Sequence, residues 1–229
     1  ITLPKENSFF FFFKTQHQNL GDALISRELL RTLSSKGTVY VFKGGMPASF
    51  LASIQAEKYT IYSSYLRFVS YLIIKSIYGL ITRRSNSYFV LNPGGFGNNK
   101  NLGVKDKLRQ AFLVLNYAAL AVMGVRIMRL GASFGPFTND RLYFEKLKNV
   151  FMYRNTVRDP ISLAYAHQNG IKNMSYFPDF ALAMPFESYV KGDELAREKP
   201  YPYYVVSLRS EDYIYNEYQA NRITEIAQV

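Results

Sequence analysis

The sequence contains no cysteine and only two histidines, His17 and His167. The lack of cysteine excludes a disulfide framework, a thiolate metal site and a cysteine nucleophile. Two histidines also make a histidine-rich metal centre a poor fit. Long uninterrupted apolar runs are missing too. The run from 65 to 81 is broken by two basic residues, and the run from 111 to 125 falls short of the roughly 20 residues that cross a bilayer. We therefore expect neither a metal nor a membrane-spanning helix.

Acidic residues are scarce relative to basic ones, 17 against 28, and the formal net charge is +11. This surplus indicates an anionic partner, such as a phosphorylated metabolite or an anionic lipid headgroup. Nucleic acid is disfavoured because the basic residues are dispersed and no recognised binding motif is present. The apolar stretch at 8–13 has the length of a strand and not of a secretory signal. We expect a cytoplasmic location, with peripheral contact at the inner membrane face as an option.

The sequence does contain a regular alternation of apolar strands and helices. Hydrophobic residues make up 48% of the chain and aromatic residues 16%, enough for a substantial core. The alternation predicts an α/β fold with a doubly wound, parallel, Rossmann-like sheet. Strands are predicted at 8–14, 38–42, 59–62, 88–91, 125–130, 151–157 and 174–177, and helices at 23–33, 64–81, 105–122, 139–148 and 161–168.

The predicted helix at 64–81 has an apolar side that we expect to pack against the sheet. Its aromatic residues and the trailing Arg83-Arg84 pair leave interfacial membrane contact as the alternative. The apolar side comprises Leu66, Val69, Ile73, Ile77 and Leu80.

Polar or glycine-rich turns follow six of the predicted strands at their carboxyl ends, and the amino ends carry nothing comparable. In an open parallel sheet the ligand crevice lies outside the carboxyl edge. This distribution therefore predicts a binding site at that edge. The turns are Asn19-Leu20-Gly21-Asp22, Lys43-Gly44-Gly45, Asn92-Pro93-Gly94-Gly95, Gly131-Ala132-Ser133-Phe134-Gly135-Pro136, Arg158-Asp159-Pro160 and Pro178-Asp179.

The turn after the strand at 88–91 is the centre of this pattern. Pro93 ends the strand because it cannot donate to a ladder, and Gly94, Gly95 and Gly97 follow. Glycines at a strand end let the backbone approach a ligand and point free amides at an anion. With the helix predicted next, this is the unit by which α/β proteins hold phosphates or sugars. A plain tight turn is the alternative.

Three residues in the turns have competing interpretations. Asp22 lies at a predicted helix start, where it either caps the helix or serves as a catalytic or hydroxyl-binding group. His17 is interpreted as a loop residue. Ser133 lies in a Gly-x-Ser-x-Gly motif typical of hydrolase nucleophile elbows. A hydrolase is disfavoured, because Pro136 stands where the helix of an elbow should begin and the only later histidine lies within a predicted helix.

The domain organisation follows from a change in composition near residue 185. Residues 1–184 are predicted to form the Rossmann-like domain, and the polar, proline-bounded stretch 185–202 is predicted to be a linker. The strand and helix pattern then restarts, and residues 203–229 are predicted to begin a second α/β domain.

Taken together, the ordered turns resemble the polysaccharide pyruvyl transferase family. A departure is Asn92-Pro93-Gly94-Gly95, where relatives often have three consecutive glycines. The family has two facing Rossmann-like halves, similar to the GT-B glycosyltransferases, whereas this sequence stops soon after Arg209. The matching segments are Asn19-Leu20-Gly21-Asp22, Gly94-Gly95-Phe96-Gly97-Asn98, Ser133-Phe134-Gly135-Pro136-Phe137, Val157-Arg158-Asp159-Pro160-Ile161-Ser162 and Pro178-Asp179.

The resemblance implies transfer of pyruvate from phosphoenolpyruvate onto two hydroxyls of a sugar in a polysaccharide or lipid-linked glycan, with no cofactor and no metal. Arg158 and Arg209 suit a clamp for the anionic donor, and an ion pair is the alternative for Arg158. Asp22 and Asp159 are the catalytic candidates, although Asp159 could cap the helix at Pro160 instead. Asp179 is a further, weaker candidate for acid–base chemistry or contact with a sugar hydroxyl. The implied substrate-binding residues are Asn19, Gly21, Gly94, Gly95, Asn98, Ser133, Arg158 and Arg209.

Two other functions fit the same pattern. A GT-B-type glycosyltransferase would use a nucleotide-sugar donor with the same two-domain layout. A non-catalytic subunit at the membrane face would use the basic surface and the helix at 64–81. Because the second domain is only begun, we expect the 229-residue chain to fold but to turn over little substrate.

Overall fold

The structure is a computed structural model, and it describes residues 5–12, 17, 19–94 and 101–183. All of these residues belong to one compact unit, which spans residues 1–184. The predicted linker at 185–202 and the predicted second domain at 203–229 lie outside the described residues and stay predictions.

Seven parallel strands form one sheet in the order β3-β2-β1-β4-β5-β6-β7, which confirms the predicted α/β, Rossmann-like fold. The strand predicted at 59–62 corresponds to β3, a short strand at the edge of the sheet. The strands are β1 (Glu6–Phe12), β2 (Thr38–Phe42), β3 (Thr60–Tyr62), β4 (Ser85–Leu91), β5 (Arg126–Ala132), β6 (Met152–Val157) and β7 (Met174–Tyr176).

Helices connect the strands and cover both faces of the sheet. Five agree with the predicted helices to within a few residues, and the short α2 was not predicted. Two short 3-10 helices lie at Ala56–Lys58 and Phe180–Ala183. The α-helices are α1 (Leu20–Ser34), α2 (Ala48–Ser53), α3 (Tyr65–Thr82), α4 (Val104–Val122), α5 (Asn139–Asn149) and α6 (Pro160–Gln168). Within the described part of the chain, no helix is long and apolar enough to cross a membrane.

The phenylalanine run of β1 forms the centre of the fold. Successive side chains of a strand point to opposite faces, so Phe10 and Phe11 enter different cores. Phe11 packs in the cluster that includes Leu29 and Leu30 of α1, while Phe10 packs with Phe68 of α3. Both phenylalanines are fully buried. A strand flanked on both sides by helices has no solvent face, and an unbroken apolar run therefore fits it.

The apolar side predicted for the helix at 64–81 is wrong. Leu66 is 76% exposed and Leu80 is 60% exposed, and Ile77 also faces outward. The buried line of α3 is instead Phe68, Leu72, Ser76 and Gly79. A Cβ on Gly79 would stand 2.4 Å from the main-chain oxygen of Ser85, so the small residues let α3 lie directly on β4. Because α3 is apolar on two sides, hydrophobicity alone does not reveal which side packs.

A buried cluster of charges joins α5 to β5. Nη2 of Arg129 donates to Glu145 at 2.9 Å, and Lys148 pairs with the other carboxylate oxygen. Glu145 and Arg129 are almost completely buried. Burial acts to raise the pKa of Glu145, but the charges of Arg129 and Lys148 outweigh it and lower the pKa. The carboxylate is therefore ionised, and it neutralises cations that have little access to water.

Replacing this carboxylate tests how strongly the cluster supports the fold. Glu145→Gln leaves buried cations without a counter-charge, and we expect the free energy of unfolding to fall by about 3–5 kcal/mol. Glu6→Gln is the matched control, because Glu6 pairs with Lys75 at 2.9 Å but is 57% exposed. That surface pair should contribute about 1 kcal/mol or less. Urea denaturation measures both, and equal losses in the two variants would contradict the prediction.

Candidate active site

The candidate site lies where the strand order changes direction. From β1 the sheet continues to β2 on one side and to β4 on the other. The helices that follow β1 and β4, α1 and α4, pack in different cores on opposite faces of the sheet. Open parallel sheets bind their ligands at the carboxyl edge beside such a point. All six polar turns follow carboxyl ends of parallel strands, so they lie at this one edge, as predicted.

The turn after β1 leads into α1 through Asn19. Oδ1 of Asn19 accepts a hydrogen bond from the Gly21 amide at 2.9 Å, and Asn19 is the N-cap. The helix begins at Leu20, three residues before its predicted start at 23. Asn19 and not Asp22 is therefore the N-cap, while the position of the Asp22 carboxylate at the start of the helix is observed as expected. Its Oδ1 is 3.4 Å from Nδ2 of Asn19. A carboxylate there is favoured by the helix dipole.

His17 belongs to the same turn, and sequence reasoning set it aside. Its ring packs edge-on against Phe50 of α2, with the ring centroids 5.0 Å apart. Its Nε2 atom is buried and has no hydrogen-bond partner in the part of the chain that the structure describes. The signal that could have found it is its position between β1 and the turn at Asn19-Leu20-Gly21-Asp22.

A second group of site residues is joined by hydrogen bonds across β4, β5 and β6. The Ser133 amide donates to the main-chain oxygen of Gly94 at 3.1 Å, which ties the turn after β5 to the turn after β4. Nε of Arg158 donates to Oγ of Ser133 at 2.8 Å. Among the described residues, a Cβ on Gly94 would meet nothing within 4 Å.

Arg158 is held on its other side by a carboxylate. Its Nη1 donates to Oδ2 of Asp179 at 2.7 Å, and Oδ1 of Asp179 accepts from the Ala181 amide. The ion-pair alternative for Arg158 is thus observed. The ion pair leaves part of the guanidinium able to bind a ligand. The Arg158 side chain is 30% exposed, and Nη2 has no hydrogen-bond partner among the described residues. An arginine fixed at two nitrogens and open at a third suits an anion.

Asp159 caps α6. Its Oδ1 accepts from the Ser162 amide at 2.6 Å and its Oδ2 accepts from the Ser162 hydroxyl at 2.8 Å. Burial acts to raise the pKa of Asp159, but the Ser162 hydrogen bonds, the Ser133 hydroxyl and the charge of Arg158 together lower it. The capping alternative is therefore observed, and the carboxylate is a weak base. The Asp159 carboxylate interacts with the Ser133 hydroxyl and so helps to position it. A catalytic role for Asp159 stays a prediction.

The hydrolase alternative for Ser133 does not fit the geometry. A nucleophile elbow needs a helix directly after the serine. Here α5 begins only at Asn139, and Gly135 has a φ of +82° with the Tyr165 ring packed against it. His167 donates from Nε2 to the main-chain oxygen of Met174 at 3.1 Å. The motif therefore forms a turn that supports Arg158.

The remaining predicted site residues fall outside this description. Gly95, Asn98 and Arg209 lie outside the described residues, so their placement stays a prediction. In the part of the chain that the structure describes, no three carboxylate or histidine side chains lie close enough to hold a metal ion.

Comparison with known proteins identifies one family. A family model described as polysaccharide pyruvyl transferase matches residues 19–228. The match begins at Asn19 and includes every predicted site residue, from Asn19 to Arg209. No curated protein matches the chain significantly.

Substituting Asp159 tests its role as a helix cap. Asp159→Ala removes the acceptors of two hydrogen bonds, and we expect the free energy of unfolding at pH 7 to fall by about 0.5–2 kcal/mol. Because folding lowers this pKa, the charge contributes its full stabilisation above the pKa of an unfolded aspartate, about 3.9. The contribution is lost as the pH falls through the lower folded-state value.

The isosteric variant Asp159→Asn isolates the contribution of the charge. Its deficit relative to the unsubstituted chain should be largest near pH 7 and shrink as the pH approaches about 3. Urea denaturation midpoints of Asp159→Asn and of the unsubstituted chain, compared between pH 3 and pH 7, measure this deficit. A deficit that does not change with pH would show that the Asp159 charge does not stabilise α6.

Proposed function

We propose, from the premise that this chain belongs to the polysaccharide pyruvyl transferase family, that it carries the donor half of an enzyme acting on phosphoenolpyruvate. The pyruvyl group would pass to a sugar of a polysaccharide or lipid-linked glycan and form a cyclic ketal. The observation that carries this proposal is the Arg158 guanidinium, whose Nε donates to Ser133 and whose Nη1 donates to Asp179, while Nη2 has no hydrogen-bond partner among the described residues.

The chemistry of the donor explains why such an arginine is needed. Phosphoenolpyruvate carries a phosphate and a carboxylate, and negative charge moves onto the phosphate as its bond to carbon breaks. A pre-positioned cation stabilises that charge most when it need not reorganise during the reaction. Ser133 and Asp179 fix the orientation of Arg158 before the donor arrives. The +11 net charge favours the approach of a trianionic donor.

The transfer also requires an acid and a base. The methylene carbon of the donor takes up a proton, and the neighbouring carbon then forms a bond to a sugar hydroxyl, which loses its proton. Phosphate leaves with the electrons of its carbon–oxygen bond, and a second hydroxyl closes the ring after losing its own proton. We assign Asp22 as the base candidate, because it lies in the first turn of α1, just after the carboxyl end of β1, and we keep Asp159 as the second catalytic candidate. We add His17 as a proton-transfer candidate because its Nε2 has no described partner.

The proposed function also involves a second domain, which would complete the substrate site. We propose that residues 203–229 begin a second α/β domain in a GT-B-like arrangement and that Arg209 contributes a further cation. The polar turns at the carboxyl edge of the first domain support this view, because a crevice there can be closed by a facing domain. Asn19, Gly21, Gly94, Gly95 and Asn98 would line the substrate site, where Gly21 contributes its lack of a side chain because its amide donates to Asn19.

The reaction itself is tested by product analysis. Phosphoenolpyruvate is supplied with galactose-, mannose- and N-acetylhexosamine-containing acceptors, and phosphate release and product mass are measured. A product heavier by a pyruvate ketal supports the proposal. Transfer of a sugar from a nucleotide-sugar donor, without any ketal, would contradict it.

Donor binding gives a test that does not depend on turnover. Arg158→Ala and Arg158→Lys should each weaken phosphoenolpyruvate binding by about ten- to a hundredfold, because each removes a charge-assisted guanidinium contact worth about 1.5–3 kcal/mol. Lysine restores the charge but not the planar fork. Titration calorimetry measures the affinity.

Arg154→Ala is the matched control, because Arg154 lies on β6, the strand that Arg158 follows, and is exposed. Its donor affinity should equal that of the unsubstituted chain. Unchanged affinity in the Arg158 variants, with the fold intact by circular dichroism, would remove Arg158 from the site.

A further inference from the structure

The outer face of α3 is apolar along its length. Its inner line packs on the sheet, so the residues opposite that line face solvent. Ser70 interrupts the outer line once, and Tyr78 adds an exposed ring beside it. The exposed aliphatic residues, between 39% and 76% accessible, are Leu66, Ile74, Ile77, Leu80 and Ile81.

The outer face of α4 repeats this pattern. None of the residues of α4 is fully buried, so the helix lies on the surface of the domain. Large apolar residues recur on one side at helical spacing, and each is at least 65% exposed. They are Val104, Leu108, Phe112, Leu115 and Val122.

The outer faces of α3 and α4 lie on the same side of the sheet. Leu72 of α3 and Leu120 of α4 belong to the same core cluster, so both helices cover the same face of the sheet. Directly after α4, a Cβ on Gly124 would stand 3.4 Å from Leu80 and 3.4 Å from Ser76, so the two helices approach each other near their carboxyl ends. We call the combined outer faces of α3 and α4 the α3–α4 surface. Clusters of exposed apolar residues of this kind indicate an interaction surface.

The charges around the α3–α4 surface are almost all positive. Helix α3 contains no acidic residue, and Asp106 is the single acid of α4. Arg67, Arg83, Arg84 and Arg109 are exposed around it. This combination of an apolar face, tyrosines and flanking cations is typical of helices that lie in a membrane interface.

A polar hollow continues the positive charge at the amino edge of the sheet. Leu80 and Gly124, at the end of the α3–α4 surface, form part of its lining. Lys5, Arg83 and Arg126 line it as well, and none of its lining residues is acidic. Three cations without a carboxylate suit the phosphate group of a lipid.

We propose that the α3–α4 surface docks the protein on an anionic lipid bilayer. The apolar side chains enter the headgroup boundary, and the cations contact lipid phosphates. Charge decides between this occupant and a second copy of the chain: two α3–α4 surfaces facing each other would bring like charges together, whereas anionic lipid complements them. The inference goes beyond the proposed function, and it stands whether or not the chain transfers pyruvate.

Vesicle co-sedimentation tests the proposal. The purified chain is mixed with vesicles of phosphatidylcholine alone or with phosphatidylglycerol added. We expect binding to the anionic vesicles and little to the neutral ones, with weaker binding as salt is raised. Ile74→Ser combined with Leu115→Ser should lower the partition coefficient by roughly tenfold or more. Arg67→Gln combined with Arg109→Gln should lower it roughly fivefold per charge at low salt.

Ile161→Ser is the matched control, because Ile161 is 82% exposed on α6, outside the α3–α4 surface. Its vesicle binding should equal that of the unsubstituted chain. Absence of binding to anionic vesicles, or binding that the α3–α4 variants leave unchanged, would overturn the proposal. The proposal would also be overturned if sedimentation equilibrium showed a dimer and the Ile74→Ser, Leu115→Ser variant were monomeric. A second copy of the chain would then cover the α3–α4 surface. All variants replace exposed residues, and thermal unfolding checks that each is folded.

Discussion

The two-sided hold on Arg158 is the interaction on which the candidate site depends. Ser133 follows β5, Arg158 follows β6 and Asp179 follows β7, so one guanidinium links three neighbouring strand ends. The Ser133 amide extends the link to Gly94 after β4. Asp159 in turn holds the same region by capping α6. A cation with so many partners keeps its orientation when no ligand is present, which is the condition for electrostatic stabilisation of a developing phosphate charge.

The parallel sheet makes this arrangement possible. Each carboxyl strand end delivers its turn to one edge, and the change of direction beside β1 separates the turn of β1 from that of β4. The candidate site residues therefore lie at the carboxyl edge, and the amino edge of the sheet and the outer faces of the helices carry none of them. The outer faces of α3 and α4 remain apolar and bordered by cations, which fits contact with a lipid surface and would leave the carboxyl edge accessible to its substrates.

Much of the fold, including the edge of the sheet at which the polar turns lie, could be predicted from the sequence, while the contacts among the residues of those turns could not. The phenylalanine run of β1 and the glycine turn after β4 are local signals, and both identify buried strands and their ends. The pairing of Arg158 with Asp179 joins residues 21 positions apart, and nothing local specifies it. The packed side of α3 was misjudged because Ser76 and Gly79 pack by virtue of small size, which a hydrophobicity pattern ranks low. His17 was overlooked because the burial of its Nε2 depends on Phe50 of α2, a helix too short to be recognised from its sequence.

The measurement that tests the central claim most directly is a crystal structure of the chain with phosphoenolpyruvate bound. The account predicts the donor at the carboxyl edge, with its phosphate or carboxylate within hydrogen-bond distance of Nη2 of Arg158 and close to the main chain at Gly94. Ser133 and Asp179 should keep their contacts to the guanidinium. Donor bound elsewhere, or at this edge with Arg158 making no contact to it, would contradict the assignment of Arg158 as the anion clamp.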